Sequence, residues 1–340
     1  MVTTINDVYL DTRRTLRQAN IAGSDIEARE LVCKALGIDE NTFFAKRREY
    51  LFDPKIAEIK ALVDIRLSGV PLQHITGKWE FYGLEFKVTE DTLIPRADTE
   101  TLVDTALVFV NSRQKARVLD LCCGTGCIGI SIARFARNPI SCLLADISEK
   151  ALKVAKENTA INRVTGSVGV SECDATKPCP GIFGTFDLIV CNPPYIPTAE
   201  IPTLDIEVQR EPHLALDGGE DGLDLYRAIC KNFKDAIREG GALMFEVGLS
   251  QHEDVRDIML AAGFEDITIF KDLTGIERVV CGVVPYSMEP LEEEVLEGLA
   301  ETEVEESVSS VEEASEDVQE CPENRTEENR TNVAEEQQVC

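Results

Sequence analysis

From about residue 97 the chain alternates short apolar runs with amphipathic ones until the last two apolar runs stand almost back to back. "ARVLDLCC", "SCLLAD", "SVGVSEC" and "FDLIVCN" read as strands, and "CIGISIARFA", "EKALKVAKENTAI" and "GLDLYRAICKNFKDAIREG" read as helices between and after them. "ALMFEVG" is a further strand, and a helix follows near 251–262. Continuous apolar strands separated by amphipathic helices require a parallel sheet covered on both faces. "DITIFKD" and "ERVVCGVV" break the rhythm, because only a short turn around Gly275 divides them. A parallel crossover needs a dozen or more residues, so these two strands must pair antiparallel. The fold class expected is α/β, a parallel sheet ending in an antiparallel hairpin.

Ahead of the sheet, residues 1–75 read as short helices. Ser24-Asp25-Ile26-Glu27 has the pattern of a capping box opening a helix that Gly37 closes. Asp53-Pro54 offers a cap and a first-turn proline for a helix ending near Gly69. "GKWEFYGLEFKVT" then switches to period two around Gly83, the mark of a hairpin. The division expected is a helical domain over 1–75, a hairpin linker over 76–95, the α/β domain over 96–286 and a tail over 287–340. From Glu289 onward 19 acids stand against 2 bases, which places about −17 of the formal −28 charge in the tail. That segment has no aromatic residue and little apolar periodicity, so disorder is expected of it. The body keeps a charge of about −11, unsuited to a phosphate backbone.

No run approaches the roughly 18 apolar residues of a membrane span, and the N-terminus lacks the pattern of a signal peptide. Twelve cysteines are many, but none forms a C-x-x-C pair and no Cys/His cluster has zinc spacing. Most sit in apolar, strand-like runs, as small hydrophobes do. A reduced, cytoplasmic protein without a bound metal and without a membrane or nucleic-acid partner is expected, and a monomer.

"VLDLCCGTGCIG" places Asp120 on the first strand and Gly124-Thr125-Gly126 in the turn after it. Glycines there let the backbone approach a ligand at a helix N-terminus. Asp146 ends the next strand, where an acid can accept from ribose hydroxyls. Two readings compete. Gly124-x-Gly126-x-x-Gly129 matches the dinucleotide fingerprint and with Asp146 would suit NAD. Asp120 beneath the turn suits instead a cofactor with a cationic amino-acid end, such as S-adenosylmethionine. Asp174 in "SECDAT" could accept from an adenine amino group or be a solvated turn acid.

"DLIVCNPPYIP" runs a core strand into Asn192-Pro193-Pro194-Tyr195. Proline fixes φ near −65° and donates no hydrogen bond, so this segment cannot extend the sheet. It can hold carbonyls and a ring rigidly at the strand end, as a clamp for a small planar polar group.

With the cofactor turn and this clamp on one sheet, the chain resembles the class I N-methyltransferases carrying an Asn/Asp-Pro-Pro-aromatic motif. More closely, it is similar to the protein-glutamine N5-methyltransferases that act on peptide chain release factors. The segments carrying the likeness are "HITGKWEFYGLEFKV", "LIPRADTETLVD", "VLDLCCGTGCIGI", "DLIVCNPPYIP" and "REPHLALDGGEDGLDLYR", spread over about residues 5 to 285. Ala97-Asp98, Cys122-Cys123 and Ala175 depart from that family's usual residues. The resemblance implies S-adenosylmethionine as cofactor, held by Asp120, Cys122, Cys123, Gly124, Thr125, Gly126, Asp146, Asp174, Ala175 and Asn192. It implies a glutamine in a Gly-Gly-Gln loop as substrate. The Asn192 side-chain oxygen and the Pro193 carbonyl would accept the two N–H groups of its amide, with Pro194 and Tyr195 completing the clamp and the ring packing on the amide plane. It also places Arg96, Glu100 and Glu211 near the substrate entrance, and gives the helical domain the task of gripping a release factor. Methylation of a ribosomal-protein glutamine and of a nucleobase amine are the alternatives. Base flipping would need a basic surface that this chain lacks.

Overall fold

Thr4 opens the first helix with a reciprocal cap: its hydroxyl accepts from Asp7 N at 3.1 Å and its own N–H donates to Asp7 Oδ2 at 2.9 Å. The chain is described here from a computed structural model, and the structure describes residues 3–287, so the expectation for the acidic tail lies outside the described residues. Strand β1 (Thr3–Thr4) precedes α1 (Ile5–Gln18), followed by α2 (Ser24–Leu36) and α3 (Glu40–Lys46). β2 (Tyr50–Leu51) pairs back onto β1, and α4 (Asp53–Leu67) and α5 (Leu72–Thr76) complete the helical region. Its core is built from Leu16, Leu31, Val32, Phe43 and Ile59.

Two expected caps are corrected. The Ser24 capping box does not form: Gly23, left-handed at φ 66°, caps α2 and Ser24 is already helical. The carboxylate of Glu27 is engaged elsewhere, on Arg66. α4 starts one residue early, with Phe52 as its cap, Asp53 first and Pro54 second. An acid in the first turn still favours the positive end of the helix. Gly37 ends α2 in the left-handed region, as expected.

β3 (Lys78–Phe81) and β4 (Leu84–Lys87) form the expected hairpin. Tyr82 and Gly83 turn it with φ of 52° and 69°. Then come α6 (Glu100–Asn111), β5 (Ala116–Leu121), α7 (Cys127–Phe135), β6 (Ile140–Asp146), α8 (Glu149–Ile161), β7 (Val168–Glu172) and β8 (Phe186–Cys191). The last elements among the described residues are α9 (Asp224–Phe233), β9 (Ile237–Glu246), α10 (His252–Ala261), β10 (Glu265–Lys271) and β11 (Glu277–Val283). The helix expected to run to Gly240 stops at Phe233, because Ile237 already pairs with Phe186 of β8.

The seven strands lie in the order β10-β11-β9-β8-β5-β6-β7, and all run the same way except β11, which is antiparallel to both of its neighbours, β9 and β10. The strand alternation splits the core in two. Val118, Leu144, Leu188 and Met244 pack on one face, and Leu119, Ile189, Phe245 and the fully buried Tyr226 on the other. The hairpin is fastened to this body by Asn158 of α8, which accepts from Lys87 N at 2.7 Å and donates to Lys87 O at 3.0 Å and Thr125 O at 2.9 Å. Residues 3–286 group into one unit.

Candidate active site

β5 and β8 are neighbours at the middle of the sheet, yet the chain leaves them toward opposite edges. That reversal opens a crevice beyond the carboxyl ends of the strands, where ligands of open α/β sheets bind. The cavity found there is walled by Cys122, Gly124, Asp146, Asp174, Ala175, Asn192 and Pro194, with Leu93, Ile147, Ala151, Leu214 and Leu225 supplying apolar surface.

The turn after β5 is built for close approach. Cys122 takes φ 59°, a strained value for a residue with a Cβ, and Gly124 and Gly126 follow at 53° and 77°. Gly129 serves packing instead: a Cβ there would come within 2.5 Å of Leu144 and 2.9 Å of Asp120. Asp146 accepts from Gly124 N and Ser148 N, both at 2.9 Å, which fixes its carboxylate at the end of β6 on the cavity wall. Burial raises its pKa, against these backbone hydrogen bonds. Asp120 is wholly buried and forms no part of that wall. One of its oxygens accepts from Gly129 N at 2.8 Å and the other has no partner among the described residues. Burial pushes its carboxyl up to about 7, with Asp146 adding to the rise. Cys123, Thr125 and Gly126 are buried behind the turn, with Thr125 offering its carbonyl to Asn158. Asp174 is held by the Thr176 hydroxyl, which lowers its pKa, and it and Ala175 reach the cavity.

The segment Asn192–Tyr195 leaves β8 directly into the cavity rim. Its backbone is moulded by the glycines of "DGGEDG" and "EVG". A Cβ at Gly218 would lie 2.7 Å from Tyr195 Cα, and one at Gly222 would lie 2.3 Å from Tyr195 O. Gln251 donates to that same oxygen at 2.9 Å while accepting from Gly248 N at 3.0 Å. Ile196 N donates to Leu216 O, and Gly218 N to Ile196 O, so the segment is clasped from both sides. Pro193 is buried, and burial raises the Tyr195 hydroxyl to about 12.

Arg96, Glu100 and Glu211 do not join this cavity. Glu211 is buried, accepts from Ile94 N at 2.8 Å and forms an ion pair with Arg96. Both line a neighbouring groove with Pro71, Gln73 and Ile206. Glu100 accepts from Tyr82 N at 2.8 Å and so supports the strained hairpin turn.

Three residues escaped the sequence reading: Thr99, Glu246 and Gln251. Asn192 Nδ2 donates to Thr99 Oγ1 at 3.5 Å, and Glu246, 1% exposed, ends β9 beside them. The available signal was an acid closing the apolar run "ALMFE", a place where an uncompensated charge is costly.

Among the described residues no cluster has metal-ligand geometry, and no helix is long and apolar enough to cross a membrane. The family described as "PrmC N-terminal domain" matches residues 7–77, and the one described as "Methyltransferase small domain" matches residues 99–206. A protein of Bradyrhizobium diazoefficiens named release factor glutamine methyltransferase is 36% identical over 280 residues, covering 79% of this chain and 92% of that protein. One of the same name from Thermodesulfovibrio yellowstonii is 38% identical over 261 residues, covering 75% and 90%. The solved hMettl16 catalytic domain in complex with MAT2A 3'UTR hairpin 6 shares the fold at TM-score 0.50 and 13% identity, over 71% of this chain and 86% of that one.

Proposed function

The chain belongs to the release factor glutamine methyltransferase family, and on that premise we propose that it methylates the side-chain amide nitrogen of the Gly-Gly-Gln glutamine of peptide chain release factors, with S-adenosylmethionine as the methyl donor. The observation that carries this reading is that Asn192 and Pro194 share one cavity with Asp146 and Gly124. An amide clamp and a ribose-binding acid thus face the same space.

The residues present fit such a cofactor. The two Asp146 oxygens are oriented by backbone N–H groups and retain lone pairs for ribose hydroxyls. Gly124 leaves the turn open, since a Cβ built there meets nothing within 4 Å. Ile147, Ala151 and Leu225 suit a flat heterocycle, and Asp174 lies at hand for an amino group. Asp120 acts from below as an acid behind the turn. When bound, S-adenosylmethionine supplies an electrophilic methyl group on a sulfonium.

An amide nitrogen is a weak nucleophile because its lone pair is delocalised into the carbonyl. The chain's contribution is therefore positional. Asn192 Oδ1 and the Pro193 carbonyl accept the two N–H groups, and the Tyr195 ring packs on the amide plane. Both acceptors favour the partial positive charge that grows on nitrogen as it takes the methyl group. Arg96 and Glu211, in the adjoining groove, shape the approach of the loop that carries the glutamine, and its flanking glycines allow it into a narrow clamp. The helical region contacts the release factor away from that loop.

Mass spectrometry of a release factor incubated with the enzyme and labelled S-adenosylmethionine tests this. A methyl group on the Gly-Gly-Gln glutamine is expected. In Asn192→Ala, transfer should fall about 100-fold or more with cofactor affinity nearly intact, because the lost acceptor orients only the substrate. Modification of a ribosomal protein or of a nucleic acid in its place would overturn the substrate assignment.

A further inference from the structure

Phe245 pairs with Cys191 across β8 and β9, so the next residues, Glu246 and Asn192, leave the two strands side by side. The Glu246 side chain is buried, and its Oε2 has no partner among the described residues. The Thr99 hydroxyl and the Asn192 carboxamide both face that carboxylate. Asn192 Nδ2 donates in turn to Thr99 Oγ1 at 3.5 Å, the outer limit of a hydrogen bond.

Donor and acceptor counting makes this arrangement directional. An ionised carboxylate only accepts, and a hydroxyl has one proton to give. With its proton directed to Glu246, Thr99 can only accept, so Asn192 must present its NH2 group to the pair. The carboxamide oxygen is then left facing the cavity. With a neutral, donor-capable group at position 246 the carboxamide could face either way, and half of its orientations would offer a substrate amide N–H another N–H. We infer that Glu246 is a positioning residue for the methyl transfer, acting through Thr99 to fix which end of the Asn192 carboxamide meets the substrate. This rests on the reading that Asn192 clamps a substrate amide.

The other charged or titratable groups that face Glu246 are Arg278 on β11, Asp98 ahead of α6, Tyr195 after β8, Tyr226 on α9 and Cys127 on α7. Burial outweighs the pull of Arg278 and raises the Glu246 carboxyl to about 7. A protonated Glu246 can donate just as glutamine does, so the native enzyme should come to resemble the Gln variant as pH falls.

Glu246→Gln keeps the volume and removes the charge. At pH 8 its kcat toward a Gly-Gly-Gln peptide should be tenfold or more below wild type, with KM and the Kd of S-adenosylmethionine within about twofold. The ratio should shrink toward one by pH 6. A wild-type rate in the variant, a ratio independent of pH, or an equal loss of cofactor affinity would overturn the inference. Thr99→Val and Thr99→Ser provide a second arm should Glu246→Gln not fold: only Val should lose kcat, and equal rates in the two would overturn it. A readout without substrate separates this from failure of the functional reading. In protein labelled with 15N-asparagine, the Asn192 side-chain NH2 resonances should be protected from exchange in wild type and lose that protection in Glu246→Gln or Thr99→Val, whereas unchanged resonances in both would refute the orientation. No transfer by wild type, with the NMR difference present, would sink the substrate reading and leave the positioning intact.

Discussion

Arg66 joins two parts of the chain that lie 141 residues apart: its guanidinium reaches Glu207 Oε1 at 2.6 Å while gripping Glu27 at 2.6 and 3.0 Å. The side chain is 4% exposed, so the charge is held almost entirely by these two acids. Glu207 belongs to the same segment as Glu211, the residue that anchors Arg96.

Replacing Arg66 with alanine should destabilise the protein by roughly 2–4 kcal/mol, because Glu27, whose side chain is only 14% exposed, loses its counter-charge. Urea denaturation checks this. A change below about 0.5 kcal/mol would mean that the pair is dispensable. Glu207→Gln should cost less, because the Glu207 side chain is itself half exposed.

Gly222→Ala should disable the clamp without touching the cavity wall. Its φ is +77° and an added Cβ would sit 2.3 Å from the Tyr195 carbonyl, so either the turn or the clamp must shift. We expect a loss of about 2 kcal/mol or more in stability together with at least a tenfold loss of kcat. Full activity at unchanged melting temperature would show that the clasp behind Tyr195 is slack.

Asp146→Ala should weaken S-adenosylmethionine binding by about 1.5–3 kcal/mol, the range for a hydrogen bond to a charged group. The variant also removes the acceptor of Gly124 N, so calorimetry should be paired with Asp146→Asn, which can preserve that bond. Unchanged affinity in both would remove Asp146 from the cofactor site.

The Asp120 carboxyl, raised from 3.8 to about 7 by burial, makes a pH prediction with a definite sign. Between these values the folded state binds more protons than the unfolded one, so stability falls as pH rises from about 4 to about 7 and then levels. Asp120→Asn can still accept from Gly129 N and should remove this contribution, gaining on the order of 1–3 kcal/mol over wild type at pH 8 but not at pH 4. Parallel pH profiles of melting temperature for the two proteins would refute it.

The sheet was legible because its signals are local: "EKALKVAKENTAI" became α8 residue for residue, and the short turn at Gly275 forced the antiparallel end. The positive-φ turn after β5 and the proline-fixed exit from β8 were equally open to reading, since φ above zero and proline-fixed φ are properties of single residues. What stayed hidden was held by partners distant in sequence. Ser24 and Glu27 match a capping box, but Arg66 competes for Glu27 and wins. Arg96, Glu100 and Glu211 looked alike as charges near an entrance, yet two are bonded to each other and the third to a hairpin turn. Thr99 and Glu246 are 147 positions apart, and only the fold shows that both stand beside Asn192, Glu246 through the register of β8 and β9 and Thr99 through its hydrogen bond.

The fastening at Asn158 has a further consequence. One carboxamide bonds both Lys87 of the hairpin and Thr125 of the glycine turn, so the stretch between the helical region and the crevice is a strut and not a joint. With Arg66 bracing the other side, the helical region and the crevice hold a set spacing, like the jaws of a calliper locked at one width. On the function proposed above, a release factor held by the helices would have to span that width by itself, and the slack that lets its glutamine settle into place would come from its own loop. Lengthening or shortening that loop by a few residues is thus a dimension along which partners can be sorted without any change in the chemistry at the clamp.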